Sequence, residues 1–282
     1  VFLRFVPIRW RPPMSARRRK LRGMAAEADR YELYQRSVQA PEADVELFVA
    51  TFESLRERTP LTLREDFAGT AYLSATWVAS HPDRRAVAVD EDAEPLAWGA
   101  EHNLGLPSLS ARVGLVHGDV RRATDEPVDI VCAPNFSVCC LRRRDELLDY
   151  FATSHASLVD DGMMICELYG GTEAIVASTE ERVCDGFGYT WEQESFNPID
   201  HHLRCSIHFD FPDGSRLERA FVYDFRLWSI PEIRDALLDA GFRDTVVYWE
   251  IVGEDGTGTG EYRRTVEEEN QEGWLVYVVG LR

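Results

Sequence analysis

A chain of 282 residues has room for one large α/β domain or for two small ones. Apolar residues make up 45% and charged residues 28%, enough for a large core, so disorder is excluded as the general state. No run of about 18 or more apolar residues occurs, and 31 basic residues stand against 49 acidic ones, net −18. That field repels phosphate backbones, so neither a nucleic-acid nor a membrane partner is expected.

Residues 1–23 hold eight of the basic residues and no acid, which leaves the body of the chain strongly acidic. They show neither a helical nor a strand period and no apolar core of a secretory signal. The expectation is a basic tail that packs against nothing and precedes a domain opening at Met24. The cysteines Cys132, Cys139, Cys140, Cys166, Cys184 and Cys205 form no C-x-x-C pair, and two of them sit in apolar runs. Reduced thiols, a cytoplasmic location and no metal site are expected.

From 29 to 58 the apolar spacing is helical, broken near Pro41, and 24–60 reads as a helical lid. Strand 61–68, helix 71–80, strand 85–89, helix 93–103, strands 112–117 and 128–133, helix 144–159 and strand 163–168 follow. Short apolar runs alternating with amphipathic helices predict a parallel sheet covered on both faces. Right-handed crossovers make it an open, doubly wound sheet. After Gly171 the pattern turns antiparallel, with strands 189–196, 203–211 and 217–228, a turn at Asn197-Pro198 and a hairpin turn at Asp213-Gly214. These form an insertion at about 186–228 in a domain spanning 61–282. Helix 231–240 resumes the α/β pattern, with Pro231 in its first turn and Gly241 after its end. Strand 245–252, a polar loop 253–273 and a last strand 274–281 complete the chain.

In such a sheet, ligands bind beyond the carboxyl ends of the strands, where strand order reverses. The first strand ends in Glu65-Asp66-Phe67-Ala68-Gly69-Thr70-Ala71, where Gly69 lets the backbone approach a ligand. The second ends in Asp90-Glu91-Asp92, 21 residues past Gly69, where a carboxylate can accept bonds from the vicinal hydroxyls of a ribose. Asp92 is placed to cap the following helix. Asp119 and Val120 close the third strand, and Asn135-Phe136 the fourth, offering polar groups and an aromatic face.

With these residues the sequence resembles a class I S-adenosylmethionine-dependent methyltransferase. The segments that carry the resemblance are LREDFAGTAYLSA, AVAVDEDAEPLAWG, VHGDV, VDIVCAPNFSV and WSIPEIRDALLDAGF. The family's first motif is an acid followed by Gly-x-Gly-x-Gly. Glu65 and Gly69 match it, while Phe67 and Ala71 replace two glycines. The resemblance implies a Rossmann-like, doubly wound α/β sheet of seven strands whose last, 274–281, is antiparallel. It implies S-adenosylmethionine as cofactor, with Glu65, Phe67, Ala68 and Gly69 beside its methionine moiety. Asp90, with Glu91 next to it, would hold the ribose, Asp119 and Val120 the adenine, and Asn135 and Phe136 the mouth facing the substrate.

Tyr34 on the lid is either a further cofactor contact or a packing residue, and Trp191, Phe196, Tyr223 and Trp228 supply aromatic surface that is mostly core. His202 or His201 is the candidate general base for a hydroxyl or thiol. The function expected is methyl transfer to a nitrogen, oxygen or sulfur of a small molecule. The alternatives are a nucleic-acid or protein methyltransferase and a non-catalytic S-adenosylmethionine-binding module. The sequence leaves the methyl acceptor and the oligomeric state open.

Overall fold

The computed structural model describes residues 23–122, 126–253 and 258–282. The basic tail up to residue 22 and part of the expected 253–273 loop lie outside the described residues. The chain opens with helices α1 (Met24–Glu27), α2 (Arg30–Val38) and α3 (Pro41–Arg56), then β1 (Thr62–Asp66), α4 (Tyr72–Ala79), β2 (Arg85–Asp90) and α5 (Ala93–His102). A short α6 (Pro107–Ser110), β3 (Val113–His117), β4 (Val128–Ala133), α7 (Arg144–Ala156) and β5 (Leu158–Gly170) follow. Four strands, β6 (Ser178–Cys184), β7 (Phe187–Phe196), β8 (His202–Asp210) and β9 (Arg216–Arg226), make a separate antiparallel sheet. Helix α8 (Ile230–Asp239), β10 (Asp244–Val252), β11 (Gly258–Thr265) and β12 (Trp274–Leu281) return to the main sheet.

The main sheet has the order β11-β10-β12-β5-β4-β1-β2-β3. Strands β1 to β5 pair in parallel, and β12 runs antiparallel to both β5 and β10, as expected for 274–281. The order reverses between β1 and β4, which makes that crevice the topological switch point.

Two strands correct the sequence reading. The sheet has eight strands instead of seven, because 258–265 folds back as β11 and pairs with β10. The insertion begins at β6, which the Asp185-Gly186 turn joins to β7, with Gly186 at φ 87°. Both are edge strands of mainly polar sequence. An edge strand with one solvated face needs few buried side chains, so neither carries the apolar run that marks a central strand. Tyr262 is the ring that anchors β11, 4.9 Å from that of Tyr277.

Side-chain alternation divides the core between the two faces of the sheet. On one face Leu63, Ile130, Cys132, Ile165 and Ala88 meet α3 and α4. Phe48 and Phe52 of α3 are fully buried there, each contributing about 1.5–3 kcal/mol by burial. Helix α3 is therefore part of the core, and of the segment read as a lid only α2 lies over the strand ends. On the other face Val131, Ala133, Met164 and Cys166 meet α7, α8 and the inner face of the insertion. No helix among the described residues is long and apolar enough to cross a membrane.

Candidate functional site

Beyond β1 the backbone turns sharply, with Phe67 at φ 56°, Gly69 at 53° and Ala71 at 52°. These are the three positions at which the motif places glycine. For Phe67 and Ala71 the left-handed conformation costs about 1–2 kcal/mol each, and the surroundings hold them in it. The Ala68 N–H donates to the Val89 carbonyl at 3.0 Å and the Ala71 N–H to the Ala68 carbonyl at 2.8 Å. The Phe67 ring packs edge-on against Tyr150 at 5.6 Å. Beneath it the fully buried Arg64 donates to Asp66 (2.7 Å), Ser157 Oγ (2.9 Å) and the Val120 carbonyl (2.6 Å). A Cβ built on Gly69 meets nothing within 4 Å, so the turn leaves open space at that glycine.

Asp90 faces this turn from the end of β2. Its Oδ2 accepts from the Gly69 N–H at 2.7 Å and its Oδ1 from the Asp92 N–H at 2.8 Å. A carboxylate offers about four acceptor sites, so each oxygen keeps one for a ligand, the requirement of a vicinal diol. Burial pushes the Asp90 carboxyl above its ordinary value. Asp92 caps α5 through the Glu94 N–H at 3.0 Å, and Glu91 is exposed.

The other expected residues divide. Glu65 is buried and turned toward α4, accepting from the Ser74 N–H (2.8 Å) and hydroxyl (2.5 Å). Burial pushes its carboxyl up to about 8. The Asp119 carboxylate is held by Arg121, which donates from its backbone N–H and its guanidinium; this pairing depresses the carboxyl. Val120 is buried in the core. Asn135 and Phe136 take φ of 53° and 60°, and the Phe136 ring lies 4.6 Å from that of Tyr169.

The Asn135 N–H donates to Glu167 Oε2 at 2.6 Å. Glu167 of β5 was missed in the sequence, although a lone acid in the apolar run MMICELYG was a signal. Burial and the field of Asp44 push its carboxyl up to about 8. Asp44 of α3, also missed, accepts from the Tyr277 hydroxyl at 2.9 Å.

Helix α2 closes over the first turn. Asp29 caps it through the Tyr31 N–H at 2.8 Å and also accepts from Trp98 Nε1 on α5 at 2.6 Å. Gln35 donates to Thr70 Oγ1 at 2.7 Å. On its other side Tyr34 lies 4.9 Å from Phe221, and burial pushes its phenol up to about 12. Trp191 and Trp228 are core residues, and Trp228 Nε1 donates to the Leu141 carbonyl at 2.9 Å.

Neither histidine reaches these strand ends through a described contact. The odd-numbered residues of β8 enter the core, and His202 lies on the opposite face, 3.3 Å from Asp224. His201 sits in the preceding turn at φ 56°, against the Phe196 ring. A role as general base has no geometric support.

No family model matches the chain, and no curated protein does. Solved structures do. Streptomyces venezuelae DesVI superposes with a TM-score of 0.65 at 19% identity, over 90% of this chain and 97% of its own. An S-adenosylmethionine-dependent methyltransferase from Clostridium acetobutylicum gives 0.64 at 17%, over 89% and 97%. The fold is that of S-adenosylmethionine-dependent methyltransferases. CalS10 of Micromonospora echinaspora, an amino pentose methyltransferase with S-adenosylmethionine bound, shares this methyltransferase fold with a TM-score of 0.62 at 15% identity, over 94% and 99%.

Proposed function

We propose that this chain is an enzyme that transfers a methyl group from S-adenosylmethionine to a small molecule. The observation that carries the reading is the Asp90–Gly69 pair at the switch point. A carboxylate bonded to the turn keeps a free acceptor site on each oxygen, beside a backbone that leaves open space. Three neighbours in fold point the same way, an amino pentose methyltransferase, a sugar N-methyltransferase and a glycopeptide N-methyltransferase.

Asp90 would hold the ribose hydroxyls, and Gly69 with Phe67 and Ala68 would border the methionine moiety. When bound, S-adenosylmethionine would supply an electrophilic methyl carried on a sulfonium. The protein's share is alignment and exclusion of water. Helix α2, tied to the first turn by Gln35 and to the insertion through Tyr34, is the part that shields the strand ends. Asn135 and Phe136 form the wall toward the acceptor.

Calorimetric titration with S-adenosylhomocysteine, together with transfer of a labelled methyl into a metabolite pool, tests this reading. Binding and transfer support it. Absence of binding refutes it, and binding without transfer leaves a non-catalytic binding module.

A further inference from the structure

Glu167 lies at the mouth and forms no ion pair among the described residues. It is 4% exposed, and its Oε2 is used by the Asn135 N–H. Its Oε1 has no hydrogen-bond or ion-pair partner among the described residues. The register sets it opposite Tyr277, whose hydroxyl is bonded to Asp44. Alternation places Glu65, Glu167 and Tyr277 on one face of the sheet, toward α3. Burial first, and then the field of Asp44, raises the Glu167 carboxyl. Among the described residues, no lysine or arginine forms an ion pair with Asp44, Glu65, Glu167 or Glu250.

A buried carboxylate with one oxygen uncommitted, beside the carboxylate of Asp44, is stabilised most by a cation. A neutral alcohol does not supply the missing charge. A neighbouring carboxylate opposes ionisation of a hydroxyl or thiol, the step that activates oxygen and sulfur nucleophiles. An amine needs no negative charge to react, since it attacks through the lone pair of its neutral form.

Building on the methyltransferase reading above, we propose that the acceptor is an amine that enters as an ammonium ion and is received by Glu167 Oε1. One N–H bond of the ammonium breaks, the proton bonds to Oε1, and the electron pair stays on nitrogen as the lone pair that takes the methyl. Burial raises this carboxyl, which makes its ionised form a stronger proton acceptor than an ordinary carboxylate. Glu167 takes the place expected of His202 or His201.

The test uses three ligands of the full chain. S-adenosylhomocysteine is uncharged at the transfer position and S-adenosylmethionine carries the sulfonium. Sinefungin has an amine-bearing carbon in place of the methylated sulfur, so its ammonium stands where the transferred methyl and the acceptor nitrogen meet. Calorimetry of Glu167→Gln is expected to show sinefungin binding weakened by about tenfold or more. The other two ligands should stay within about threefold of the parent.

Equal loss for sinefungin and S-adenosylmethionine overturns the proposal, because the carboxylate then serves the sulfonium. Unchanged sinefungin binding overturns it too. If Glu167→Gln does not fold, the parent protein decides. Sinefungin must bind it about tenfold tighter than S-adenosylmethionine, and equal affinity refutes the proposal. Failure of all three ligands to bind the parent is a different result, since it removes the methyltransferase reading itself.

Discussion

The two halves of the main sheet end in carboxylates that the protein holds differently. On the β1–β2–β3 side each acid has a fixed protein partner. Asp90 is bonded to the Gly69 turn, Glu65 to Ser74, and Asp119 to Arg121. On the side of β5 and β10, Glu167 and Glu250 each accept one backbone N–H, from Asn135 and Gly260, and Asp44 accepts the Tyr277 hydroxyl. Burial pushes all three above their ordinary values. On the function proposed above, the first half would hold one ligand in one pose. On the same reading, the uncommitted oxygen of Glu167 would select what approaches.

The sharpest way to break this division is Asp90→Ala. Hydrogen bonds to a charged group contribute roughly 1.5–3 kcal/mol each and add incompletely on one carboxylate. The expected loss is about 2–4 kcal/mol, on the order of 30- to 1000-fold in the dissociation constant for S-adenosylhomocysteine. Asp92→Ala, two residues on, removes only a helix cap and should leave affinity nearly unchanged. Calorimetry on both variants checks the contrast, and a merely acidic surface would treat the two alike.

Glu65→Gln sharpens the comparison through pH. The native carboxyl sits at about 8 against an ordinary 4.5, so the folded state holds the proton more tightly than the unfolded one. This group's contribution is therefore fully present below about pH 4.5 and is lost as pH rises toward 8. Gln retains an acceptor for Ser74 and cannot ionise. At pH 9 the variant should exceed the parent by a few kcal/mol, on the order of 2–4, and at pH 4.5 the two should be alike. Urea denaturation at both pH values measures it, and parallel losses in both proteins would show that Glu65 does not carry the effect.

Gly69→Ala tests the open space. With nothing within 4 Å of the new methyl, destabilisation should be limited to backbone strain of about 1–2 kcal/mol. Cofactor affinity should fall by about tenfold or more, since the methyl occupies the approach to the turn. Equal affinity in parent and variant would move the cofactor away from this turn.

The smallest effect is expected for Ala71→Gly. Strain relief of about 1–2 kcal/mol is offset by loss of a buried methyl, about 0.8 kcal/mol, and by the added freedom of glycine in the unfolded chain, about 0.4–1 kcal/mol. The net change in denaturation free energy should stay within about 1 kcal/mol. That near-cancellation accounts for a turn that forms with alanine at position 71.

The elements that bury whole apolar runs or strong periodic faces were legible from the sequence, as were the residues whose roles follow from chain neighbours. Strands β1, β4 and β12, helices α7 and α8, and Asp92 as a cap are of this kind. So is the carboxylate 21 residues beyond Gly69, because one βαβ unit delivers both to the same crevice. The edge strands β6 and β11 were not legible, since their pairing depends on a neighbour's open edge more than on their own apolar content. Nor was the role of α3, whose Phe48 and Phe52 look the same in a lid as in a core.

Sequence alone determined the doubly wound sheet, the insertion and the residues at the first two strand ends, because period and spacing are local properties of the chain. Only the tertiary structure decided how each buried acid is held. Asp44, Glu167 and Tyr277 come from three distant segments, and His202, adjacent in sequence to plausible chemistry, turns to the far side of its sheet. The reason is physical. A carboxylate's protonation and its appetite for a cation depend on burial and on fields from groups that only folding brings within reach.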